Sequence, residues 1–455
     1  MRPRPEPIEI EIGSLAERGV GVGHADDGTL VRVRAGAPGS RVRVAPGKRR
    51  RGVAESIKLA TIRPAPGFAE PACPQFGRCG GCALQELGLP AQRAAKAGLV
   101  ASVLGDLAGV VTHPIRGGTS AYGYRNKLEL GFGGRQWLAE ADRHLPNEGR
   151  FLGFHAPGRF DRVVDAPVCA LAGPRMSAAL TAVRAVALDP AAPVPWDPRE
   201  HTGFWRHLVL RESESGLLAG LVTAPAGESE APWARRVLDA LDAVADGAVW
   251  MENAGVADVA RGVVRERRGV PNLVARLGGV AFRLSLESFF QTNAQGAEIL
   301  ISTVREALGT ASGTLVDLYC GVGTFSLTLG PGFDRVVGIE EVPAAIDDAR
   351  ANALEAGLVA EFTVGRVEDL LGQIPADAVL VVDPPRAGLH PRVAAALAVQ
   401  SAPVLVYVAC NPAALARDRA VLEAGGWRAT DLWTVDLFPQ TGHVEAVMRF
   451  ARDPS

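Results

Sequence analysis

No apolar run in these 455 residues approaches the roughly 18 that a membrane span requires, so the chain reads as globular. The opening residues, Met1–Arg2–Pro3–Arg4–Pro5–Glu6, lack the apolar core of a secretory signal, and residence in the cytoplasm is the expectation. Net charge is nearly absent, at −2, which by itself predicts no polyanionic partner. No internal repeat or long low-complexity tract is visible, and nothing points to an obligate protein partner. Cysteine is scarce: Cys73, Cys79, Cys82, Cys169, Cys320 and Cys410 are all there is. A cytosolic setting disfavours structural disulfides, so the cluster of three is read as metal-binding. An apolar fraction of 47% and this length give ample core and two to four domains.

The near-neutral total conceals a local excess of charge. Between Val31 and Arg63 lie Arg32, Arg34, Arg41, Arg43, Lys48, Arg49, Arg50, Arg51, Lys58 and Arg63 against one acid, Glu55. The segment up to residue 63 reads as short strands: alternating Ile8, Ile10 and Ile12, a hairpin at Asp26–Asp27–Gly28, then 30–34, 41–44 and 53–58, with a basic loop at 46–52. Five or so short strands suit a small oligonucleotide-binding barrel, its arginines on one face along phosphates. A merely solvated strand face is the alternative.

After a Pro-rich linker comes Cys73–Pro74–Gln75–Phe76–Gly77–Arg78–Cys79–Gly80–Gly81–Cys82, in which glycines let backbone N–H groups turn toward sulfur. Cys169 would be the fourth ligand. Four thiolates suit zinc or an iron–sulfur cluster; zinc ribbons usually pair two Cys-x2–4-Cys knuckles and the second is missing, which favours a [4Fe–4S] cluster. A helix is expected over 84–107, bearing Gln92, Arg93 and Lys96, and strands over 122–132 and 203–211 interleave basic with aromatic residues as nucleic-acid surfaces do.

From about residue 280 strands and helices alternate, the pattern of a doubly wound sheet. Thr314–Leu315–Val316–Asp317–Leu318 runs into Tyr319–Cys320–Gly321–Val322–Gly323–Thr324, where Gly-x-Gly lets backbone approach a nucleotide-like ligand. Glu340 ends the next strand, placed for two ribose hydroxyls. An NAD site would usually have a third glycine where Ser326 stands, and would not explain Asp383–Pro384–Pro385. A methyltransferase acting on an exocyclic amine would place an aromatic residue after Asp-Pro-Pro, where Arg386 stands. Finally Val404–Leu405–Val406–Tyr407–Val408–Ala409 ends in Cys410–Asn411–Pro412. A thiol at the carboxyl end of a buried parallel strand is a candidate nucleophile, and inert packing is its alternative. Together these features suggest a methyl donor beside a covalent catalyst.

Those motifs, with Phe289–Phe290–Gln291 and Phe438–Pro439–Gln440–Thr441–Gly442–His443–Val444–Glu445, make the chain resemble the S-adenosylmethionine-dependent RNA 5-methyluridine methyltransferases. The match is to the subfamily with an amino-terminal TRAM barrel and a four-iron cluster, and all six cysteines fall at family positions. The resemblance implies an α/β architecture in three parts: a TRAM, OB-like RNA-binding barrel (1–63), a central α+β cluster and RNA-contacting domain (64–280), and a Rossmann-like methyltransferase domain (281–455). It implies Gln291, Tyr319, Glu340 and Asp383 at the methyl donor, with Thr324 standing where the family more often has asparagine. It makes Cys410 the nucleophile, Glu445 the proton-removing base, and Cys73, Cys79, Cys82 and Cys169 the ligands of the [4Fe–4S] cluster. RNA is the implied partner, ribosomal RNA of the large subunit before transfer RNA, with the target uridine flipped out of its stack. A non-catalytic RNA-binding protein that keeps the fold is the rival reading.

Carbon 5 of uracil is too weak a nucleophile to take a methyl group directly, which is why such a site needs a thiolate and then a base. A free thiol is only a few per cent ionised at neutral pH. The site is therefore expected to lower that pKa or to deprotonate the thiol as substrate binds.

Overall fold

The computed structural model describes residues 6–139, 142, 144–288 and 290–452; Phe289 of the Phe-Phe-Gln motif, Met1 to Pro5 and residues 453–455 lie outside them. Among the described residues the strands form three large sheets and one two-stranded ribbon.

The first sheet closes on itself. Ile8–Ala16 pairs antiparallel with Val20–His24 and with Arg41–Ala45, and closure comes where Leu30–Val33 pairs with Val53–Arg63. Alternation sends Ile10, Ile12, Val31, Val33, Val42 and Val44 into one small core. The basic loop contains a short strand, Arg49–Arg50, against the end of the closing strand. The charge excess of this segment is not what the local count suggests. Register sets Glu9 opposite Arg43 and Glu11 opposite Arg41, so these acids share the arginine face. Glu9 then binds Arg41 (3.2 Å) and Arg43 (3.0 Å), Glu11 binds Arg63 (2.7 Å), and Glu55 binds Arg32 (3.4 Å). The alternating arginines are largely spent on cross-strand pairs.

The second sheet runs Val163–Asp165, Glu148–His155, Lys127–Arg135, Trp205–Ser213, Gly216–Thr223, Gly247–Glu252, Val263–Gly269. Helices Pro174–Ala187 and Ala231–Asp242 cover one face around Trp205 and Trp250. The other face, with Val209, Val222 and Met251, packs on the ribbon Leu273–Leu277/Val280–Leu284. Two strands start later than the sequence indicates, at Lys127 rather than 122 and at Trp205 rather than 203. Gly123 (φ 65°) and Gly203 (φ 105°) hold left-handed backbone that breaks the extended run just before each. The helix expected over 84–107 is Leu89–Leu104, because Pro90 fixes its first turn and Gly105 (φ 71°) ends it.

The third sheet holds the chemistry. Its order is Glu361–Val364, Arg335–Glu340, Thr314–Leu318, Val379–Val382, Val404–Ala409, Glu445–Ala451, Arg428–Asp436, with Val111–Thr112 at the edge. The first five are parallel and the antiparallel pair Glu445–Ala451 and Arg428–Asp436 completes them. Successive strands leave Thr314–Leu318 in opposite directions, so a crevice opens at its carboxyl end beside Val379–Val382. Val404–Ala409 is buried along its whole length, as a central parallel strand must be. Residues 89–117 also belong to this layer: the helix Leu89–Leu104 packs on the helix Pro412–Ala424, and Val111–Thr112 pairs with Arg428–Asp436. No helix among the described residues is long and apolar enough to cross a membrane.

Candidate active site

Cys410 stands where the strand Val404–Ala409 gives way to the helix Pro412–Ala424. Asn411 makes that turn rigid. Its Oδ1 accepts from Ala413 N (3.1 Å) as the helix cap, and its Nδ2 donates to Arg386 O (2.9 Å). The antiparallel register with Glu445–Ala451 ends at Ala409 opposite Ala446, so one step further Cys410 faces Glu445. Opposed residues of such a pair carry Cβ atoms about 5 Å apart. Asp383, directly after Val379–Val382, belongs to the adjacent parallel strand, whose Val382 lies against Tyr407. Cys410, Asp383 and Glu445 thus stand at the same edge of three neighbouring strands.

Burial dominates the electrostatics. It pushes the Cys410 thiol up to about 11, helped by the charges of Glu445 and Asp383 and opposed by Arg386. Glu445, 6% exposed, is held well above the ordinary carboxyl range by burial and then by Asp383. Asp383 is pushed up to about 7 by burial and then by Asp317. Burial thus works against the thiolate in the empty site, which favours deprotonation on substrate binding as the route to it. His443 accepts from Arg386 Nη2 at Nδ1 (3.0 Å), and burial and Arg386 bring it down to about 4. It is a neutral acceptor that holds Arg386. A cavity of about 280 Å³ opens on Cys410, walled by Arg386, His443 and Gly442 and, from the barrel, by Glu17 and Arg18.

Tyr319, Thr324, Glu340 and Asp383 of the expected donor-binding residues stand at or just after the carboxyl ends of parallel strands, and Gln291 lies apart from them in sequence, before the helix Ala294–Leu308. Tyr319 takes φ 66°, a left-handed turn, and its N–H binds Ile339 O (2.9 Å). Glu340 accepts from Gly321 N (3.2 Å) and Val342 N (2.9 Å), which fixes its carboxylate while leaving lone pairs for a diol. Thr324 opens the helix Thr324–Leu329, and Gln291 O accepts from Asn126 Nδ2 (3.0 Å). Asp317 carries a role the sequence reading did not give it. Fully buried, it accepts from Ser326 N (2.8 Å) and Oγ (2.6 Å), pinning the glycine turn. That bond explains a serine where an NAD site would have glycine. Cys320, 5% exposed, is core.

Cys73, Cys79, Cys82 and Cys169 come from two distant stretches of chain to line one cavity of about 700 Å³, half-buried and unpaired by disulfides. Gly81 N–H points at Cys79 Sγ (3.4 Å). Burial drives Cys79 to about 11 and Cys82 to about 12, so the group needs cationic charge to ionise. Among the described residues no set of three or more His, Cys, Asp or Glu is arranged to hold a metal ion. That disfavours a single zinc, whose bonds of about 2.3 Å would draw the sulfurs together. The same finding speaks against the expected [4Fe–4S] cluster, although the four thiols line one cavity.

A sheet of this order, with a glycine turn after its first strand and an acid ending the next, defines a methyltransferase fold that binds S-adenosylmethionine. Residues 273–452 match the family model for tRNA (uracil-5-)-methyltransferase. An RNA methyltransferase of Chlorobaculum tepidum is 32% identical over 98% of this chain and 96% of its own. One from Caldanaerobacter subterraneus is 34% identical over 97% and 98%. Among solved structures, the Pyrococcus abyssi tRNA (uracil-54, C5)-methyltransferase in complex with S-adenosyl-L-homocysteine superposes with a TM-score of 0.75. It is 26% identical and covers 98% of this chain and 100% of that one. The chain belongs to the RNA uracil-5-methyltransferase family and is an S-adenosylmethionine-dependent enzyme.

Proposed function

We propose that the protein methylates carbon 5 of a uridine in RNA through a covalent bond from Cys410 Sγ to carbon 6. The observation that carries this is the register that sets Cys410 against Glu445 at the carboxyl edge, with Asp383 on the neighbouring strand. Cys410 gives up its proton to solvent as the uracil enters, its sulfur adds to carbon 6, and the carbon 5–carbon 6 double-bond electrons move onto the carbonyl oxygen at carbon 4 as an enolate. When bound, S-adenosylmethionine supplies a methyl on a sulfonium. Carbon 5 takes that methyl as the enolate collapses. Glu445 then removes the proton left on carbon 5, and the returning enolate expels the Cys410 thiolate, restoring the ring double bond. Arg386, held by His443, faces the cavity as the cation that offsets these negative charges. Gln291, Tyr319, Thr324, Glu340 and Asp383 are assigned to the methyl donor, Glu340 through the ribose hydroxyls.

The barrel of 1–63, which we assign as the TRAM unit, reaches the nucleophile's cavity with Glu17 and Arg18 and so can grip RNA beside the reacting base. Its closed strand order, first-second-third-closing-fourth, supports the OB-like assignment. The 64–280 unit would hold a [4Fe–4S] cluster on Cys73, Cys79, Cys82 and Cys169 and contact RNA, and 281–455 would transfer the methyl group. The cluster supplies no electron to this mechanism and is assigned a structural role. An RNA substrate with its uridine flipped out, in the cytoplasm, follows. Large-subunit ribosomal RNA is the first reading, by family resemblance. Transfer RNA is the second, favoured by the Pyrococcus neighbour, which acts on tRNA uracil 54.

The test is nucleoside mass spectrometry after incubation with methyl donor and unmodified ribosomal or transfer RNA in separate reactions. New 5-methyluridine in one pool, absent with Cys410→Ala, is expected. A different methylated nucleoside would overturn the chemistry. Donor binding without any methylation would leave the RNA-binding reading in its place.

A further inference from the structure

The turn that carries Glu445, residues 436–444, is held by an unusual number of bonds from one distant stretch, 83–96. Gln440, 3% exposed, sits at its centre in left-handed backbone (φ 69°). Its N–H donates to Gln92 Oε1 (2.8 Å), and Gln92 Nε2 donates back to Gln440 Oε1 (2.9 Å) and to Leu87 O (2.7 Å). Gln440 O accepts twice, from Ala83 N (2.8 Å) and Leu84 N (3.0 Å), the two residues directly after Cys82. One helical turn beyond Gln92, Lys96 Nζ binds Asp436 Oδ1 (2.5 Å) and Phe438 O (2.9 Å) with both side chains fully buried. Tyr124 Oη donates to Pro439 O (2.7 Å). Within the turn, Thr441 Oγ1 bridges Phe438 O (2.8 Å) and His443 N (3.1 Å). No strand pairing holds 437–444; these side chains and two amides do, with Asn293 Nδ2 on Leu437 O (2.7 Å) and Arg386 on His443.

We propose that Gln92 is a positioning residue of the catalytic site, clamping the 436–444 turn so that Glu445 faces Cys410, and that through Ala83 and Leu84 the cysteine-lined loop governs the same turn. The path is short: Cys82, the Ala83 and Leu84 amides, Gln440 O, then five residues to Glu445. Gln92 itself touches no reacting atom. A displacement of about 1 Å at a base costs on the order of a hundredfold in rate, so a turn loosened at Gln440 falls on proton removal. The earlier step depends instead on Cys410 and Asn411, which are held by the cap of the helix Pro412–Ala424 and by Arg386 O rather than by the 436–444 turn.

This rests on Glu445 as the base, and the test separates the two claims. Full-length Gln92→Leu and Gln440→Gly are compared with the unaltered protein by steady-state kinetics, by the share of enzyme trapped on methylated RNA, and by hydrogen–deuterium exchange. For Gln92→Leu, kcat falls at least tenfold while kcat/KM for RNA changes less than threefold, the covalent RNA–protein adduct accumulates, and amides of 437–444 exchange at least tenfold faster. Gln440→Gly keeps the backbone bonds and suits the positive φ but loses the Gln92 Nε2 bond, so its kcat and its exchange at 437–444 fall between those of the unaltered protein and Gln92→Leu. Cys79→Ala speeds exchange at 437–444 as well. Unchanged kcat and exchange in a folded Gln92→Leu protein would overturn the clamp. So would a joint fall in kcat, RNA affinity and melting temperature without adduct, the mark of a merely structural residue. Normal exchange at 437–444 in Cys79→Ala would remove the link to the cysteine loop. If the unaltered protein makes no 5-methyluridine, the functional reading fails first, and exchange alone still decides the clamp.

Discussion

Replacing Glu445 with glutamine should stop the reaction after the methyl group has moved. Burial and then Asp383 favour the neutral form of Glu445, so an uncharged amide of the same shape is a close match to it beside Cys410. Thiol addition and methyl transfer then proceed. Proton removal from carbon 5 loses its base, an effect of about 10²–10⁴ in rate, or about 3–5 kcal/mol on the barrier. A final step slowed about a hundredfold becomes limiting, and about nine-tenths or more of the enzyme should collect as the methylated adduct. Denaturing gels with labelled RNA read the fraction trapped, and mass spectrometry of the digested adduct places the RNA on Cys410 with the methyl already on the base. Free 5-methyluridine appearing at a tenth or more of the normal rate, with no trapped species, would refute Glu445 as the base. An adduct lacking the methyl group would show that Glu445 acts before transfer.

Other perturbations follow from the same geometry. Alkylation of Cys410 in RNA-free protein, followed on its peptide by mass spectrometry, should rise about tenfold per pH unit from pH 7 to 9. A thiol raised to about 11 is only about one part in ten thousand thiolate at pH 7, and a plateau below pH 8 would contradict it. Gly442→Ala should undock the barrel, since a Cβ there would lie 1.9 Å from Gly19 N, a backbone atom that cannot give way. Weakened RNA binding and faster exchange at Gly19 are expected, and normal RNA affinity would count against the barrel's place at the site. Lys96→Met leaves the fully buried Asp436 carboxylate with Arg93 alone (3.5 Å) and should cost about 3 kcal/mol, part of it recovered when Asp436→Leu is added. Equal melting of single and double variants would refute that pair as the cause.

The parallel part of the catalytic sheet was legible because buried parallel strands are written as runs of Val, Leu and Ile that stop at Glu340, Asp383 and Cys410. The position of Glu445 was not, since nothing local in Val444–Glu445–Ala446 says that its strand will insert antiparallel beside Cys410. That pairing came from resemblance. The barrel's charge was misjudged for a related reason: counting Val31 to Arg63 omits Glu9 and Glu11, which only register brings across from the first strand. Gln92 and Lys96 were visible as polar residues on a helix, yet polarity on a helix usually signals solvent. Their full burial depends on partners some 340 residues away, at Asp436 and Gln440.

A protonated nucleophile beside a protonated base at first looks wrong for the chemistry, and the resolution lies in which charges coexist. Cys410 as thiolate and Glu445 as carboxylate repel each other across one register step in a buried site, so the empty site disfavours having both. The reaction never needs both. While Cys410 is anionic, Glu445 is neutral and withholds its repulsion. Once Sγ is bonded to carbon 6 it is an uncharged thioether, the thiolate's field is gone, and Glu445 can ionise to take the carbon 5 proton. Expulsion of the thiolate then coincides with Glu445 having gained that proton. The negative charge passes from sulfur to the uracil oxygen and is cancelled when carbon 5 takes the methyl group of the cationic donor. Glu445 then gives its own proton to solvent and takes the carbon 5 proton, and the charge returns through the enolate to sulfur as the thiolate leaves, with Arg386 facing the Cys410 cavity throughout.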